Sequence, residues 1–352
     1  MRFEQLYPKR TPEEEQKRAD ERAPEDAKFS EQWKHPQEIT TPLGEKIDLY
    51  DMRPEHEKTP VPTLLVSGFT GTAELWKKNM RELYTLGRRT LVVDGSHGVD
   101  YDPNETNLDK RAMDPEYRKV AAMSAALDGA HVEKADAVAH SKGCIDLVLA
   151  AYAYPERFRN IVLIEPAGMN PNESLVQVIW RNQLKDVPSM NKAHEAYKRG
   201  DPGYQWDIHP EDSVILDLSK EITQHPIQVV KELYSIANVR VIDLLRKVKE
   251  KGIGIVIVQS PEDEMFRAEV MTGEVSKNEA GEVLAGENGK VLMEKQGSLA
   301  SQKLSPDEDI TKVVDGFYSV KGHHTRFYDQ PKEYTQLIDG ALTALAAKKG
   351  EF

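Results

Sequence analysis

The sequence contains a single cysteine, no long apolar segment and no surplus of positive charge. Cys144 is the only cysteine among 352 residues, which excludes an intramolecular disulfide and a cysteine-based metal cluster. No stretch approaches the ~18 consecutive apolar residues of a transmembrane helix, and the N-terminus lacks the apolar core of a secretory signal. The formal net charge of −12 opposes binding to phosphate-rich partners through the overall field. We therefore expect a cytoplasmic protein with no membrane span and no nucleic-acid partner.

The first 30 residues carry many charges and few large apolar side chains. They include seven lysine or arginine residues and eight aspartate or glutamate residues. A segment of this composition cannot bury enough surface to fold alone. We expect residues 1–40 to form a charged N-terminal arm without a catalytic role, which packs on the body of the protein through Phe3, Leu6 and Tyr7.

Short apolar runs alternate with segments of helical periodicity over most of the chain. The runs are 61–66, 90–93, 135–139, 161–164, 252–258 and 316–320, and residues 45–52 alternate like a strand with one polar face. Because most of the runs lack such alternation, they indicate strands that are covered on both faces. Strands that alternate with helices favour a parallel sheet with helices on each side. The sequence therefore predicts an α/β core in two parts, residues 41–169 and 251–352.

Two segments interrupt this rhythm. Residues 170–250 contain no convincing strand and have a mainly helical pattern. An inserted segment of this kind often covers a site, so we predict a helical cap here. Within residues 268–312, the tripeptide Gly-Glu-Val occurs at 273–275 and again at 281–283. This second insertion predicts one or two β-hairpins with glycine turns.

The sharpest local motif is Ala139-His140-Ser141-Lys142-Gly143. It follows a predicted strand and precedes a predicted helix, which is the context in which a nucleophilic serine occupies a strained turn. Small residues two before and two after the serine let the strand and helix backbones approach each other. The motif predicts Ser141 as a catalytic nucleophile, and a capping serine in an ordinary turn is the alternative.

A glycine-rich turn at residues 67–71 follows the predicted strand at 61–66. Such a turn can direct a backbone N–H toward the serine. We predict that the backbone N–H groups of Phe69 and Lys142 form an oxyanion hole, and a plain glycine turn is the alternative.

An acidic turn follows the predicted strand at 252–258. Asp263 lies in this turn, where a carboxylate can orient a histidine and stabilise its charged form. Glu262 and Glu264 are rivals for this role, and a solvated acidic turn is the alternative.

A histidine pair follows the last predicted strand. His323 and His324 come directly after Gly322. A neutral imidazole at this position could take the proton from the Ser141 hydroxyl. A surface histidine pair is the alternative.

Taken with their order along the chain, these motifs resemble those of the α/β-hydrolase superfamily over residues 40–345. The matching segments are 66–69 for the oxyanion turn, 94–98 for the aspartate–glycine loop, 154–164 for the strand before the cap, and 322–331 for the histidine loop. The resemblance implies an eight-stranded, mostly parallel sheet and a serine-dependent hydrolase.

The resemblance also bears on the choice among the candidates. In the superfamily a proline commonly lies seven residues beyond the catalytic histidine, and Pro331 counts back to His324. The implied triad is Ser141, Asp263 and His324. Some members take the acid from an earlier strand, which keeps Glu165 open as an alternative acid. The chain departs from the usual pattern in having Ala139 in place of the first glycine of the serine motif.

The substrate-binding candidates are Thr70, Met169, Trp180, Trp206 and Met265. Aromatic and methionine side chains in or near the predicted cap suit an acyl or aromatic substrate, with simple packing as the alternative.

The sequence offers no recognisable metal or cofactor motif. There is no helical pair of histidines four residues apart, and adjacent histidines such as His323 and His324 have poor geometry for one ion. Neither a phosphate-binding loop nor a dinucleotide-binding glycine turn is present. We expect no metal and no cofactor, with His140 directed away from the site and His97 in a nearby loop.

Two classes of function remain at this point. The first is a serine hydrolase that acts on a small carboxylic ester or thioester. The second is a binding protein that retains the fold without the chemistry. Acyl transfer, C–C bond hydrolysis and cofactor-free perhydrolysis are narrower options, which fold alone does not separate.

Overall fold

The computed structural model describes residues 24–69, 71–94, 115–169, 195, 199, 226–275, 293–305, 308–320 and 322–351. The strands are β1 (Gln37–Thr40), β2 (Lys46–Met52), β3 (Thr63–Val66), β4 (Thr90–Asp94), β5 (Ala135–His140), β6 (Phe158–Ile164), β7 (Gly254–Gln259), β8 (Gly273–Val275), β9 (Met293–Gln296) and β10 (Gly316–Ser319).

The helices alternate with these strands. They are α1 (24–33), α2 (Lys77–Thr85), α3 (Pro115–Gly129), α4 (Gly143–Ala153), α5 (Pro226–Asn238), α6 (Ile242–Glu250), α7 (Ala268–Thr272), α8 (Ser298–Ser301), α9 (Arg326–Asp329) and α10 (Pro331–Lys348). Short 3₁₀ helices occupy Ala73–Trp76, Pro155–Arg157 and Ile310–Lys312.

The main sheet has eight strands in the order β1-β2-β4-β3-β5-β6-β7-β10. The β1–β2 and β2–β4 pairs are antiparallel, and the remaining pairs are parallel. The predicted α/β class and the eight-stranded, mostly parallel sheet are confirmed. Every residue of β3, β5, β6 and β7 is buried, which explains why their sequences lack an alternating polar face.

Helices cover both faces of this sheet. One core cluster joins the strands to α3, α4 and α6, and the other joins them to α1, α2 and α10. Alternate residues of one strand enter opposite clusters, so Leu64 belongs to the first cluster and Leu65 to the second. The carboxyl ends of the parallel strands therefore meet at one edge, where the loops after them come together.

The expected N-terminal arm differs from the structure over its second half. Helix α1 and strand β1 belong to the folded body, and residues 1–23, with Phe3, Leu6 and Tyr7, lie outside the described residues. Phe29 is fully buried, and the Trp33 ring stacks on Tyr50 of β2 at a centroid distance of 4.3 Å. The charged composition gave no indication that this segment has an apolar face, since its aromatic residues are few and widely spaced.

The predicted cap also differs from the structure at its C-terminal end. Helix α6 packs on α4 through Ile242, Leu245 and Val248, so it covers the sheet as part of the core. The backbone N–H groups of Val241 and Ile242 donate to the Gly168 carbonyl oxygen and anchor the start of α6 beside the end of β6. Of residues 170–225, only 195 and 199 are described.

The second insertion contains a small antiparallel pair. Strand β8 pairs with β9, and the short helices α7 and α8 flank the pair. The tripeptide at 281–283 lies outside the described residues. Among the helices that are described, none combines the length and the apolar character that crossing a lipid bilayer requires.

Candidate active site

Ser141 sits at the turn between β5 and α4. Its φ of +55° lies in the left-handed region, which is unfavourable for a residue other than glycine. Its N–H donates to the carbonyl oxygen of Ile164 at 3.0 Å, and its own carbonyl oxygen accepts from the N–H of Ala167 at 3.1 Å. These bonds hold the turn against the end of β6, and the strained backbone projects the side chain from the edge of the sheet.

Two glycines permit the close packing around this turn. A Cβ on Gly143 would lie only 2.5 Å from the carbonyl oxygen of Ser67 and 2.8 Å from that of Val66. A Cβ on Gly68 would lie 3.1 Å from the Cβ of Ser141. The first glycine of the pattern is replaced by Ala139, which is fully buried in the same region. The start of α4 can therefore approach the loop after β3 because position 143 has no side chain.

The loop after β10 brings His324 to Ser141. Gly322 begins this loop with φ +140°, and a Cβ there would overlap the Arg326 side chain. The Ser141 hydroxyl lies 2.9 Å from Nε2 of His324, although the two residues are 183 positions apart in the sequence. Both side chains are buried, so their hydrogen bond is shielded from bulk water.

Asp263, in the turn after β7, completes a chain of three side chains. Nδ1 of His324 lies 3.0 Å from Oδ2 of Asp263, to which the amide nitrogen of Gln259 also donates at 3.0 Å. The backbone N–H groups of Met265 and Phe266 donate to Oδ1 at 2.7 and 3.1 Å. A carboxylate held this way accepts the proton on Nδ1 of His324, which leaves Nε2 as the acceptor for the Ser141 hydroxyl.

The sequence neighbours that rivalled Asp263 and His324 lie away from the serine. Glu262 and Glu264 are exposed to solvent on either side of the buried Asp263. Nδ1 of His323 lies 3.0 Å from the hydroxyl oxygen of Thr325. The structure thus brings together Ser141, Asp263 and His324 rather than their sequence neighbours.

The two residues predicted to supply the oxyanion hole lie in the loop after β3 and at the start of α4. Phe69 follows Gly68, whose backbone lies against Ser141, and Lys142 leads into the first turn of α4. The Ser67 hydroxyl donates to the carbonyl oxygen of Thr72 at 3.1 Å and braces the loop from which Phe69 projects. Thr70 lies outside the described residues.

Sequence reasoning missed the environment of the Lys142 side chain, which is fully buried. Its ammonium group donates to Oδ1 of Asp146 at 2.7 Å and lies 3.5 Å from Oε1 of Glu116. Burial lowers the pKa of Lys142, but the carboxylates of Asp146, Glu232 and Glu116 outweigh this effect and raise it overall. Burial raises the pKa of Asp146 to about 7 despite the neighbouring lysine. The helical spacing of Lys142 and Asp146 resembles that of an ordinary exposed pair, so the sequence carried no sign of burial.

His140 also contacts the site, although the sequence predicted that it points away. Its Nε2–H donates to the carbonyl oxygen of His324 at 2.9 Å, and the two rings are 4.8 Å apart. The Tyr328 hydroxyl lies 3.3 Å from Nδ1 of His140 and can donate to it. Burial, followed by the proximity of His324, holds the pKa of His140 well below its usual value. His140 is therefore a neutral brace under the His324 backbone.

The remaining predicted residues divide into two groups. Met169 is fully buried and Met265 is nearly so, and both belong to the main core cluster. These positions suit packing beneath the site. Trp180, Trp206 and His97 lie outside the described residues.

One group of potential metal ligands occurs within the described part of the chain. It comprises His140, Glu165 and His324, whose ligand atoms lie within 4.8 Å of one another. Nε2 of His140 already donates to a carbonyl oxygen, and Nδ1 of His324 already pairs with Asp263. The hydrogen bonds of this group fit a network of shared protons around the His324 ring.

Neither a protein-family model nor a curated protein sequence matches this chain significantly. Solved structures do match it over most of its length. An esterase from Exiguobacterium antarcticum is 12% identical with a TM-score of 0.54, covering 87% of this chain and 99% of that chain. A meta-cleavage product hydrolase from Pseudomonas fluorescens IP01 is 14% identical with a TM-score of 0.51, covering 88% and 98%. A bromoperoxidase from Bacillus anthracis is 12% identical with a TM-score of 0.53, covering 87% and 99%.

These similarities, together with the strand order, show that the chain has the α/β-hydrolase fold. The similar structures carry different activities on one architecture, so the fold alone does not select a reaction.

Proposed function

We propose that this protein is a serine hydrolase that cleaves a carboxylic ester or thioester through an acyl-enzyme on Ser141. One observation carries the proposal: the continuous hydrogen-bonded chain from the Ser141 hydroxyl through the His324 ring to Asp263, at 2.9 and 3.0 Å. A buried serine, imidazole and carboxylate in this order are the parts that acyl transfer through a serine requires.

The reaction begins when the Ser141 oxygen attacks the substrate carbonyl carbon. Nε2 of His324 accepts the hydroxyl proton as the bond forms, and Asp263 stabilises the resulting imidazolium. The imidazolium then gives that proton to the leaving alcohol or thiol as the carbonyl–oxygen or carbonyl–sulfur bond breaks. A water molecule, activated by the same imidazole, releases the acid from the acyl-enzyme and regenerates Ser141.

The negative charge on the carbonyl oxygen requires donors of its own. We assign the backbone N–H groups of Phe69 and Lys142 to this role, because Lys142 follows the serine and Phe69 follows Gly68, where a Cβ would lie 3.1 Å from the Cβ of Ser141. One such donor contributes about 3–4 kcal/mol of transition-state stabilisation. The buried ion pair of Lys142 with Asp146 supports the turn that presents this N–H.

The acyl and alcohol preferences are assigned to the part of the predicted cap that precedes α6, residues 170–241, with Trp180 and Trp206 as its aromatic candidates. Met169 and Met265, which pack beneath the site, are assigned to the floor of this substrate site, and Thr70 is a further substrate-binding candidate. A cytoplasmic location fits the single buried thiol of Cys144.

C–C bond hydrolysis is the second candidate, because a meta-cleavage product hydrolase shares the fold at a TM-score of 0.51. It uses the same three side chains but acts on a carbon leaving group, which an ester panel does not report. A binding protein without chemistry is the third candidate, and an unreactive serine would favour it.

Labelling with a fluorophosphonate probe tests the proposal directly. The wild-type protein should react at one serine, Ser141→Ala should not react, and the exposed Ser305→Ala should react as the wild type does. A panel of p-nitrophenyl esters and acyl thioesters of increasing chain length then identifies the acyl group. Labelling without turnover of any ester, but with cleavage of a 1,5-diketone, would favour the second candidate. An unreactive wild-type serine would refute the hydrolase proposal.

A further inference from the structure

A second buried carboxylate lies beside the catalytic histidine. Glu165 is the residue directly after β6, the strand next to β5 in the sheet. It is fully buried and has φ +46°, close to the +55° of Ser141. A non-glycine residue persists in this region only where its surroundings enforce it. Its backbone N–H donates to the carbonyl oxygen of Val258 at 2.8 Å, which anchors the strained residue to β7.

The strained backbone directs the Glu165 side chain to the histidine pair. Oε2 of Glu165 lies 3.6 Å from Nδ1 of His324 and 3.5 Å from Nε2 of His140. Oε1 accepts a hydrogen bond from the Tyr334 hydroxyl at 3.4 Å. Nδ1 of His324 thus faces two carboxylates, Asp263 at 3.0 Å and Glu165 at 3.6 Å.

The groups around Glu165 that titrate come from six elements. They are His140 at the end of β5, Cys144 on α4, Asp263 after β7, His324 after β10, Tyr328 on α9 and Tyr334 on α10. Burial, and then the Glu165 carboxylate, raise the pKa of Tyr328 and of Tyr334. Both phenols therefore remain protonated, and the one on Tyr334 remains a donor to Glu165. During the proposed reaction His324 becomes an imidazolium, and this is the positive charge that the mechanism creates among these groups.

We propose that Glu165 is a second positioning carboxylate for His324, which shares with Asp263 the orientation of the ring and the stabilisation of its charged form. This inference rests on the hydrolase function proposed above. Glu165 takes no proton in the reaction: the Ser141 proton moves to Nε2, the Nδ1 proton stays between His324 and Asp263, and the charge of Glu165 is unchanged.

The short distance between Glu165 and His324 supports a substantial contribution of Glu165 to the stability of the imidazolium. Coulomb energy falls only as the inverse of the distance, so a charge at 3.6 Å has about 0.8 of the effect of one at 3.0 Å in the same medium. The two carboxylates differ in geometry, since Asp263 accepts the Nδ1 proton directly while Glu165 lies at the distance of an ion pair. Asp263 should therefore fix the tautomer, and Glu165 should act mainly on the charged ring.

The pH dependence of fluorophosphonate labelling separates this role from a structural one. Labelling requires a neutral His324, so its rate falls in acid with a midpoint that reports the stability of the imidazolium. Glu165→Gln removes the charge but keeps the shape, and it should move this midpoint about one pH unit toward acid. Glu165→Asp keeps the charge and should hold the midpoint nearer to that of the wild type. The buried Glu45→Gln, which lies beside Arg118 before β2, is the matched control and should leave the midpoint unchanged.

A double-mutant cycle with Asp263→Asn tests whether the task is shared. The loss of labelling rate caused by Glu165→Gln should be at least about fivefold larger in the Asp263→Asn background than in the wild type. Should Glu165→Gln not fold, Glu165→Asp in the two backgrounds makes the same comparison. An unchanged midpoint together with equal losses in both backgrounds would overturn the inference while labelling of Ser141 stands. Labelling that survives Ser141→Ala would instead overturn the hydrolase proposal and this inference with it.

Discussion

The carbonyl oxygen of Ser67 lies where the side chain of residue 143 would project: a Cβ on Gly143 would be 2.5 Å from it. This contact joins the loop after β3 to the start of α4. The loop contributes Phe69 and the helix contributes Lys142, so the same contact sets the separation of the two backbone groups assigned to the oxyanion hole.

Gly143→Ala should therefore impair the reaction more than the fold. The added methyl group must push the Ser67 loop away from α4, since the three atoms nearest to it all belong to the backbone. We expect the rate of fluorophosphonate labelling to fall by about 100-fold, because loss of one oxyanion donor costs that much or more. Gly340→Ala in α10 is the control, because a Cβ there meets nothing within 4 Å. It should keep full labelling and raise the melting temperature slightly. Equal labelling of the two variants would contradict this account.

The neighbouring histidines should respond very differently to substitution. His324→Ala removes the base that contacts the Ser141 hydroxyl, so turnover should fall by about 10⁴-fold or more. His323→Ala removes a side-chain contact with Thr325 but no contact with Ser141, and it should cost less than about tenfold. Steady-state rates on the best ester measure both losses, with circular dichroism to establish folding. The reverse order of damage would show that the histidine assignment is wrong.

The buried His140 should make the fold sensitive to mild acid. Its pKa in the folded protein is held well below the usual value, so the unfolded chain takes up a proton near pH 6.5 before the folded protein does. The contribution of neutral His140 to the free energy of unfolding is therefore complete above that pH. It decreases as the pH falls, by up to about 1.4 kcal/mol per pH unit. His140→Gln cannot be protonated and retains a donor for the His324 carbonyl oxygen.

Urea unfolding at pH 7.5 and pH 5.5 measures this effect. The free energy of unfolding of the wild type should fall more between the two pH values than that of His140→Gln. The exposed His35→Gln is the control and should fall as much as the wild type. Parallel losses in all three proteins would exclude His140 as the source.

Helix α1 should be essential to the fold in spite of its charged sequence. Phe29 is fully buried between Trp33 and Tyr84, at ring-centroid distances of 5.9 and 5.6 Å. Phe29→Ala should lower the free energy of unfolding by about 3–5 kcal/mol, as expected for loss of a buried aromatic ring. Tyr117→Ala, at an exposed position on α3, should cost less than about 1 kcal/mol. A small loss for Phe29→Ala would place the helix outside the cooperative unit.

The strands that sequence analysis predicted best lie in the interior of the sheet. The predicted run at 135–139 is β5 at Ala135–His140, and 90–93 is β4 at Thr90–Asp94. Both are rich in apolar residues and lack strict alternation, so local composition was sufficient. The short strand Gln37–Thr40 was absorbed into the arm, because only Ile39 of its four residues is buried. Its place in the sheet depends on pairing with β2 rather than on its own composition.

The local sequence pattern was also insufficient to predict the position of helix α6 and of the two side chains, Glu165 and His140, that lie beside His324. An amphipathic helix has the same sequence in a cap as in a core layer, and packing against α4 decides between them. Glu165 was open as an alternative acid, and His140 was expected to face away. Their distances to His324 depend on the order of β5, β6 and β7 in the sheet.

The sequence by itself determined which residues end the strands and carry reactive side chains, because strand formation and turn geometry depend on near neighbours. It placed Ser141, Asp263 and His324 each in a loop at the carboxyl end of a strand. Only the tertiary structure decided that a serine and a histidine 183 residues apart share a 2.9 Å contact, and that Glu165 joins them. Such contacts depend on strand order and register, which form through burial of the whole sheet between its helices and have no counterpart in any local stretch of sequence.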